Sequence, residues 1–133
     1  MLFVIEFHLD QRSGVAPYLQ IVQQVKEALR LGLLDVGDQL PTVREVVGHL
    51  AINPNTVAKA YRDLEREGLV TARQGRGTFV ASTLATRSLE HHEGLRRELE
   101  RWLAAALRAG LDDDDIRALV SKTLREALGR EAA

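Results

Sequence analysis

Residues 41–62 read Pro41-Thr42-Val43-Arg44-Glu45-Val46-Val47-Gly48-His49-Leu50-Ala51-Ile52-Asn53-Pro54-Asn55-Thr56-Val57-Ala58-Lys59-Ala60-Tyr61-Arg62, and they contain two helix starts in quick succession. Thr42-Val43-Arg44-Glu45 has the Thr-x-x-Glu form of a capping box, in which hydroxyl and carboxylate satisfy free amide donors at a helix N-terminus. Val43, Val46, Val47 and Leu50 then form one apolar stripe. Ala51-Ile52-Asn53 leaves only a tight connection before Asn53 can cap, and Pro54 open, a further helix buried through Val57, Ala60, Tyr61 and Leu64. Two short helices joined this closely, the second polar at its start, have the sequence form of a helix-turn-helix.

Toward the C-terminus, Gly68 ends that helix. Leu69-Val70-Thr71-Ala72-Arg73 and Thr78-Phe79-Val80 then read as strands around Gln74-Gly75-Arg76-Gly77, a glycine-rich hairpin tip carrying a basic residue. This is the expected form of a wing. Toward the N-terminus, Tyr18, Ile21, Val22, Val25 and Leu29 recur at helical spacing behind Pro17, predicting a helix over 17–31 with a stop at Gly32. Residues 3–9 alternate loosely and predict a short strand, and Gly37-Asp38 marks a turn.

From Leu84 onward the composition shifts to Ala, Leu, Arg and Glu. Leu95, Leu99, Trp102, Leu103, Ala106 and Leu107 fall on one helical face. Gly110 interrupts, Asp112 can cap another helix, and Ile116, Leu119, Val120, Leu124 and Leu128 continue the apolar stripe. Two amphipathic helices cannot hide such wide apolar faces against each other alone, so the tail reads as a dimerisation device. The contacts expected to carry it are Leu95, Leu99, Trp102, Leu103, Leu107, Ile116, Leu119, Val120 and Leu124. The fold class is therefore mainly α with a small β-wing: a winged helix-turn-helix over 1–81, followed by a two-helix dimerisation segment over 82–133.

The 133 residues are 45% hydrophobic and 28% charged, as in an ordinary folded soluble chain. There is no cysteine, which excludes disulfides, thiolate zinc sites and a cysteine nucleophile and fits a cytoplasmic protein. The opening Met1-Leu2-Phe3-Val4-Ile5 run is too short for a signal-peptide core or a membrane span. A net charge of −1 looks unlike a nucleic-acid binder, but the average hides a local pattern. Residues 69–80 hold Arg73 and Arg76 and no acid, with Lys59, Arg62 and Arg66 just before them. A basic surface is needed only where phosphates come close.

With these blocks in view, the chain resembles the GntR family of bacterial transcription regulators and, within it, the short YtrA-like branch. The resemblance rests on Pro17-Tyr18-Leu19-Gln20-Ile21, on Gly37-Asp38-Gln39-Leu40-Pro41-Thr42-Val43-Arg44-Glu45, and on Asn53-Pro54-Asn55-Thr56-Val57 with Lys59-Ala60-Tyr61. Leu64-Glu65-Arg66-Glu67-Gly68-Leu69 and Gly75-Arg76-Gly77-Thr78-Phe79-Val80 complete it. The blocks span about residues 17–80; the tail matches by length and by its two-helix pattern. The resemblance implies a repressor that binds double-stranded operator DNA as a homodimer, with the start of the third helix in the major groove and the wing tip in the minor groove. It also places Arg44 at the family's arginine position at the start of the second helix. Many relatives carry arginines near the start of the third helix, where this chain has Pro54 and Ala58, so an arginine-to-guanine contact does not transfer there.

At the exposed start of a recognition helix, side chains reach base edges. Here these are Asn55, Thr56 and Lys59. Asn can bond adenine, Thr can touch a thymine methyl or a phosphate, and Lys can donate to guanine or phosphate. Thr42 and Arg44 at the second helix, Arg62 one turn along the third, and Arg73, Gly75, Arg76 and Gly77 in the wing complete the expected DNA contacts. Arg76 suits a narrow minor groove, where the potential is most negative. Plainer readings stand beside these. Asn53 is chiefly a cap, Tyr61 is core rather than a stacking platform, and Arg44 can instead pair with a nearby carboxylate.

No nucleophile with its base is visible and Gly75-Arg76-Gly77 is too short for a nucleotide fingerprint, so an enzyme is not expected. No cofactor or metal is expected either. Adjacent histidines in His91-His92-Glu93 point in different directions on a helix, and Asp112-Asp113-Asp114-Asp115 is a cap with a dipole-favoured first turn. A small-molecule effector would have to sit at the dimer interface or against the winged domain, because two helices offer little concave volume. The competing class is a winged helix used for protein assembly, with the apolar tail engaging a different partner.

Overall fold

Helix α1 (Pro17–Arg30) opens with Pro17 in its first turn and buries Ile21, Val22, Val25, Ala28 and Leu29 on one side. That is the 3.6-residue stripe seen in the sequence. The computed structural model describes residues 5–85 and 92–131. The chain divides into two compact units, Met1–Leu89 and Glu90–Ala133.

In the first unit, α2 (Val43–Leu50) starts on the expected capping box. Thr42 Oγ1 accepts from the Glu45 amide at 3.1 Å, and Glu45 Oε1 accepts from the Thr42 amide at 3.1 Å. Of its apolar stripe only Val46 is buried; Val43, Val47 and Leu50 are half-buried against the core. Helix α3 (Pro54–Arg66) begins on Asn53, whose side-chain oxygen accepts from the Asn55 amide at 2.8 Å. It buries Val57, Ala60, Tyr61 and Leu64, with α1 and α2 packed against it. The Tyr61 hydroxyl donates to the Pro41 carbonyl, tying α3 to the entry of α2. Burial pushes this phenol's pKa well above its usual value, and the Glu45 carboxylate adds to the rise.

The turn between α2 and α3 is closed by Ala51 in the left-handed region, φ 55° and ψ 45°. Among the described residues it is the one non-glycine at positive φ. A Cβ there costs about 1–2 kcal/mol.

Strands β1 (Val70–Arg73) and β2 (Gly77–Val80) pair antiparallel, Val70 opposite Val80 and Arg73 opposite Gly77. Val70 and Val80 anchor the base of this hairpin in the core, and its far end is exposed. The loop before α2 contributes a further edge. Gly37 N donates to Val80 O at 2.9 Å, Val80 N to Asp38 O at 2.8 Å, and Leu40 N to Thr78 O at 2.9 Å. A segment read from sequence as a turn thus also lines the outer side of β2.

Residues 5–9 form no strand, which corrects the expectation for 3–9; residues 3 and 4 lie outside the described residues. Strand ladders need a partner backbone, and here side chains of α1 take that place. Gln24 Oε1 accepts from the His8 amide and Gln24 Nε2 donates to the His8 carbonyl, while buried Gln20 bonds both the amide and the carbonyl of Asp10. Phe7 plugs into the core without a sheet.

The second unit contains α4 (Glu93–Arg108) and α5 (Asp113–Glu131). Asp112 caps α5: its Oδ1 accepts from the Asp115 amide at 2.8 Å, and Asp115 Oδ2 accepts from the Asp112 amide at 3.1 Å. The acidic run is therefore accounted for as a cap and first turn. His91 lies outside the described residues. Among those described, no cluster of His, Cys, Asp and Glu is arranged to hold a metal ion, and no helix is long and apolar enough to cross a membrane.

Candidate nucleic-acid interface

Because Asn53 spends its side-chain oxygen on the Asn55 amide, it serves α3 as a cap, and the residues left free at the helix start are Asn55, Thr56 and Lys59. Asn55 and Lys59 are exposed, and Thr56 is half-buried. Pro54, exposed, and Ala58, half-buried, present no donor at the same end. The Lys59 ammonium lies over the Tyr18 ring, 3.9 Å from its centroid, so α1 supplies an aromatic floor under the cation on α3. Arg62 is exposed one turn further along.

Arg44 occupies the first turn of α2 and is exposed. Among the described residues none of Arg44, Lys59, Arg62, Arg73 and Arg76 forms an ion pair with a carboxylate, whereas Lys26 is paired to Glu67 at 2.8 Å and Arg66 to Asp63 at 3.4 Å. The alternative of an internal partner for Arg44 is thus not what the structure shows. A positive helix N-terminus is an unfavourable place for a lone cation, and a phosphate would relieve it. Thr42 spends its hydroxyl oxygen on the capping bond, which leaves the hydroxyl hydrogen to donate outward.

In the wing, Arg73 lies 5.4 Å from the Phe79 ring centroid, and the Arg76 amide donates to the Arg73 carbonyl at 2.9 Å, closing the tip. Arg73, Gln74, Gly75 and Arg76 are all exposed. Gly77 has φ 123°, and a Cβ on it would meet Gln39 Nε2 at 2.5 Å. Its close approach is therefore to this protein's own Gln39, which also donates to the Arg76 carbonyl at 3.1 Å. Sequence reasoning passed over both Tyr18 and Gln39 as site residues. The first reads as part of the α1 stripe, and the second sits in a turn without a local signal.

In the second unit, the nine residues expected to dimerise are poorly covered. Leu95, Leu99, Trp102, Leu107, Leu119 and Leu124 are exposed, and Leu103, Ile116 and Val120 are half-buried. Leu99, Trp102, Leu119, Val120 and Leu124 line an apolar groove of about 320 Å³ between α4 and α5.

Residues 17–80 match the family model described as bacterial regulatory proteins, gntR family. Over 105 residues the chain is 40% identical to the HTH-type transcriptional repressor YtrA of Bacillus subtilis, covering 78% of this chain and 81% of that protein. The chain belongs to the GntR family. Among solved structures it is similar to YtrA from Sulfolobus acidocaldarius, described as a GntR-family transcription factor, with a TM-score of 0.53 at 35% identity over 74% of this chain and 97% of that one. It is also similar to AraR(DBD) in complex with operator ORX1, with a TM-score of 0.51 at 26% identity over 58% of this chain and 96% of that one. This GntR-family chain is a winged-helix, DNA-binding transcription regulator, a class of regulators and not of enzymes.

Proposed function

We propose that this GntR-family regulator is a cytoplasmic repressor that binds an inverted-repeat operator as a homodimer. Residues 1–81 form its DNA-reading winged helix and residues 82–133 its dimerisation segment. The observation that carries the reading is where five exposed cations lie that have no carboxylate partner among the described residues. Arg44 on α2, Lys59 and Arg62 on α3, and Arg73 and Arg76 in the wing share the helix-turn-helix and its wing, whereas Arg12, Arg30, Arg101, Arg108 and Arg125, equally exposed and unpaired, lie elsewhere. Cations grouped on one surface of a chain whose net charge is −1, and left unpaired by its own acids, fit phosphates. Asn55, Thr56 and Lys59 read bases in the major groove; Thr42, Arg44 and Arg62 position the protein on the backbone; Arg73 and Arg76 enter the minor groove, with Gly75 and Gly77 shaping the tip. Relatives named as repressors and a similar domain bound to operator support the same reading.

A second chain is the partner proposed for the α4–α5 face. Its exposed leucines and Trp102 lie in one unit, and a two-fold pair would cover the same residues on both copies. A small-molecule effector would share that apolar groove. The test is a gel shift on DNA upstream of the protein's own gene over a salt series. The expected result is a specific shift that weakens steeply with salt; no specific shift at any salt would point instead to a winged helix used for protein assembly.

A further inference from the structure

A two-stranded hairpin has little stability of its own, and the wing leaves the core beyond Val70 and Val80. The loop before α2 supports β2 by backbone hydrogen bonds only as far as Thr78, where the Leu40 amide donates to its carbonyl at 2.9 Å. Past that point, the bond from this loop to the wing tip is made by the Gln39 side chain. Its Nε2 donates to the Arg76 carbonyl at 3.1 Å, and it occupies the space beside the Gly77 Cα where any other residue would carry a Cβ. Gln39 is itself bridged through its backbone to Phe79. The loop that holds it leads directly to Thr42 and Arg44.

We propose that Gln39 is a positioning residue that clamps the wing tip, so that Arg76 is presented at a set place relative to the start of α2. The fit is reciprocal. Gly77 is the residue that leaves room for the amide, and the amide satisfies the Arg76 carbonyl, which the two-stranded ladder leaves without a partner at the tip. Gln39 need not touch DNA to affect its binding; it acts through Arg76. The DNA consequence rests on the proposed wing contact, while the clamp itself is a property of the free protein.

Gln39→Glu keeps the shape but replaces the donor with a carboxylate that repels the Arg76 carbonyl; Gln39→Ala removes the reach altogether. In the free protein, backbone amide relaxation should show Gly75, Arg76 and Gly77 loosened in both variants, with Val70 and Val80 unchanged. A tip as rigid as in the parent protein overturns the proposal. The binding arm uses a duplex selected by the parent protein from a random library. Each Gln39 variant should weaken binding about three- to tenfold, the effect of losing one hydrogen bond, and should have little further effect once Arg76→Ala is present. A full effect of Gln39→Ala in the Arg76→Ala background would mean direct contact by Gln39 and also overturns the proposal. If the tip loosens but Arg76→Ala alone leaves binding unchanged, the wing contact is what has failed, and the clamp stands without a role in DNA binding.

Discussion

The Lys59 ammonium stands 3.9 Å from the centroid of the Tyr18 ring, joining the first turn of α1 to the face of α3 proposed to read DNA. An exposed cation–π contact is worth about 0.5–1 kcal/mol, and it narrows the positions a long side chain explores. Tyr18→Leu should therefore weaken operator binding roughly two- to fivefold by fluorescence anisotropy, while Tyr18→Phe, which keeps the ring, should not. Equal losses in the two variants would assign the effect to the hydroxyl.

Ala51 carries backbone strain that glycine would relieve. Glycine also costs entropy in the unfolded chain, so the net gain from Ala51→Gly should be about 0.5 kcal/mol. Thermal unfolding of the first unit should then shift up by roughly 2–4 °C, with DNA affinity unchanged. Ala51→Val, β-branched at the same φ, should lower Tm.

Tyr61→Phe removes the bond to the Pro41 carbonyl and leaves that acceptor unpaired, at a cost of about 1–2 kcal/mol in denaturant unfolding. It also predicts a pH effect. Because the folded-state pKa is raised, the neutral phenol's contribution is fully present below the ordinary tyrosine range and is lost as pH climbs above about 10. Stability measured between pH 9 and 11 should fall less steeply in the Phe variant than in the parent.

Leu99→Glu or Leu124→Glu places a charge on the apolar groove between α4 and α5. Sedimentation should show the mass of a single chain for these variants and twice that for the parent. Operator affinity should drop with it, because two linked half-site contacts become one. A variant that stays dimeric would move the interface elsewhere.

Features set by neighbours in sequence were legible before the structure. The Thr42–Glu45 box, the Asn53 cap with Pro54, and the Val57, Ala60, Tyr61, Leu64 stripe each depend on spacing within a turn or two. Features set by distant partners were not. Alternation in residues 3–9 suggests a strand because the pattern cannot show that Gln24 and Gln20 satisfy the backbone at His8 and Asp10. Gln39 meets Gly77 and Arg76 only after the hairpin folds back. Ala51 takes a left-handed conformation that its residue type does not signal. For the candidate interface, the cations and their elements were readable, but their freedom from carboxylates and the ring under Lys59 needed the fold.

The proposed regulator is a two-fold dimer that reads DNA through α2, α3 and the wing. A hydroxyl-radical footprint on a selected operator tests this most directly. Two symmetric protected patches are expected on an inverted repeat, centred one helical turn or slightly more apart, ~34 Å, and both should be lost together in Arg44→Ala and Lys59→Ala proteins that remain dimeric. A single unrepeated patch, or protection that survives both substitutions, would contradict it.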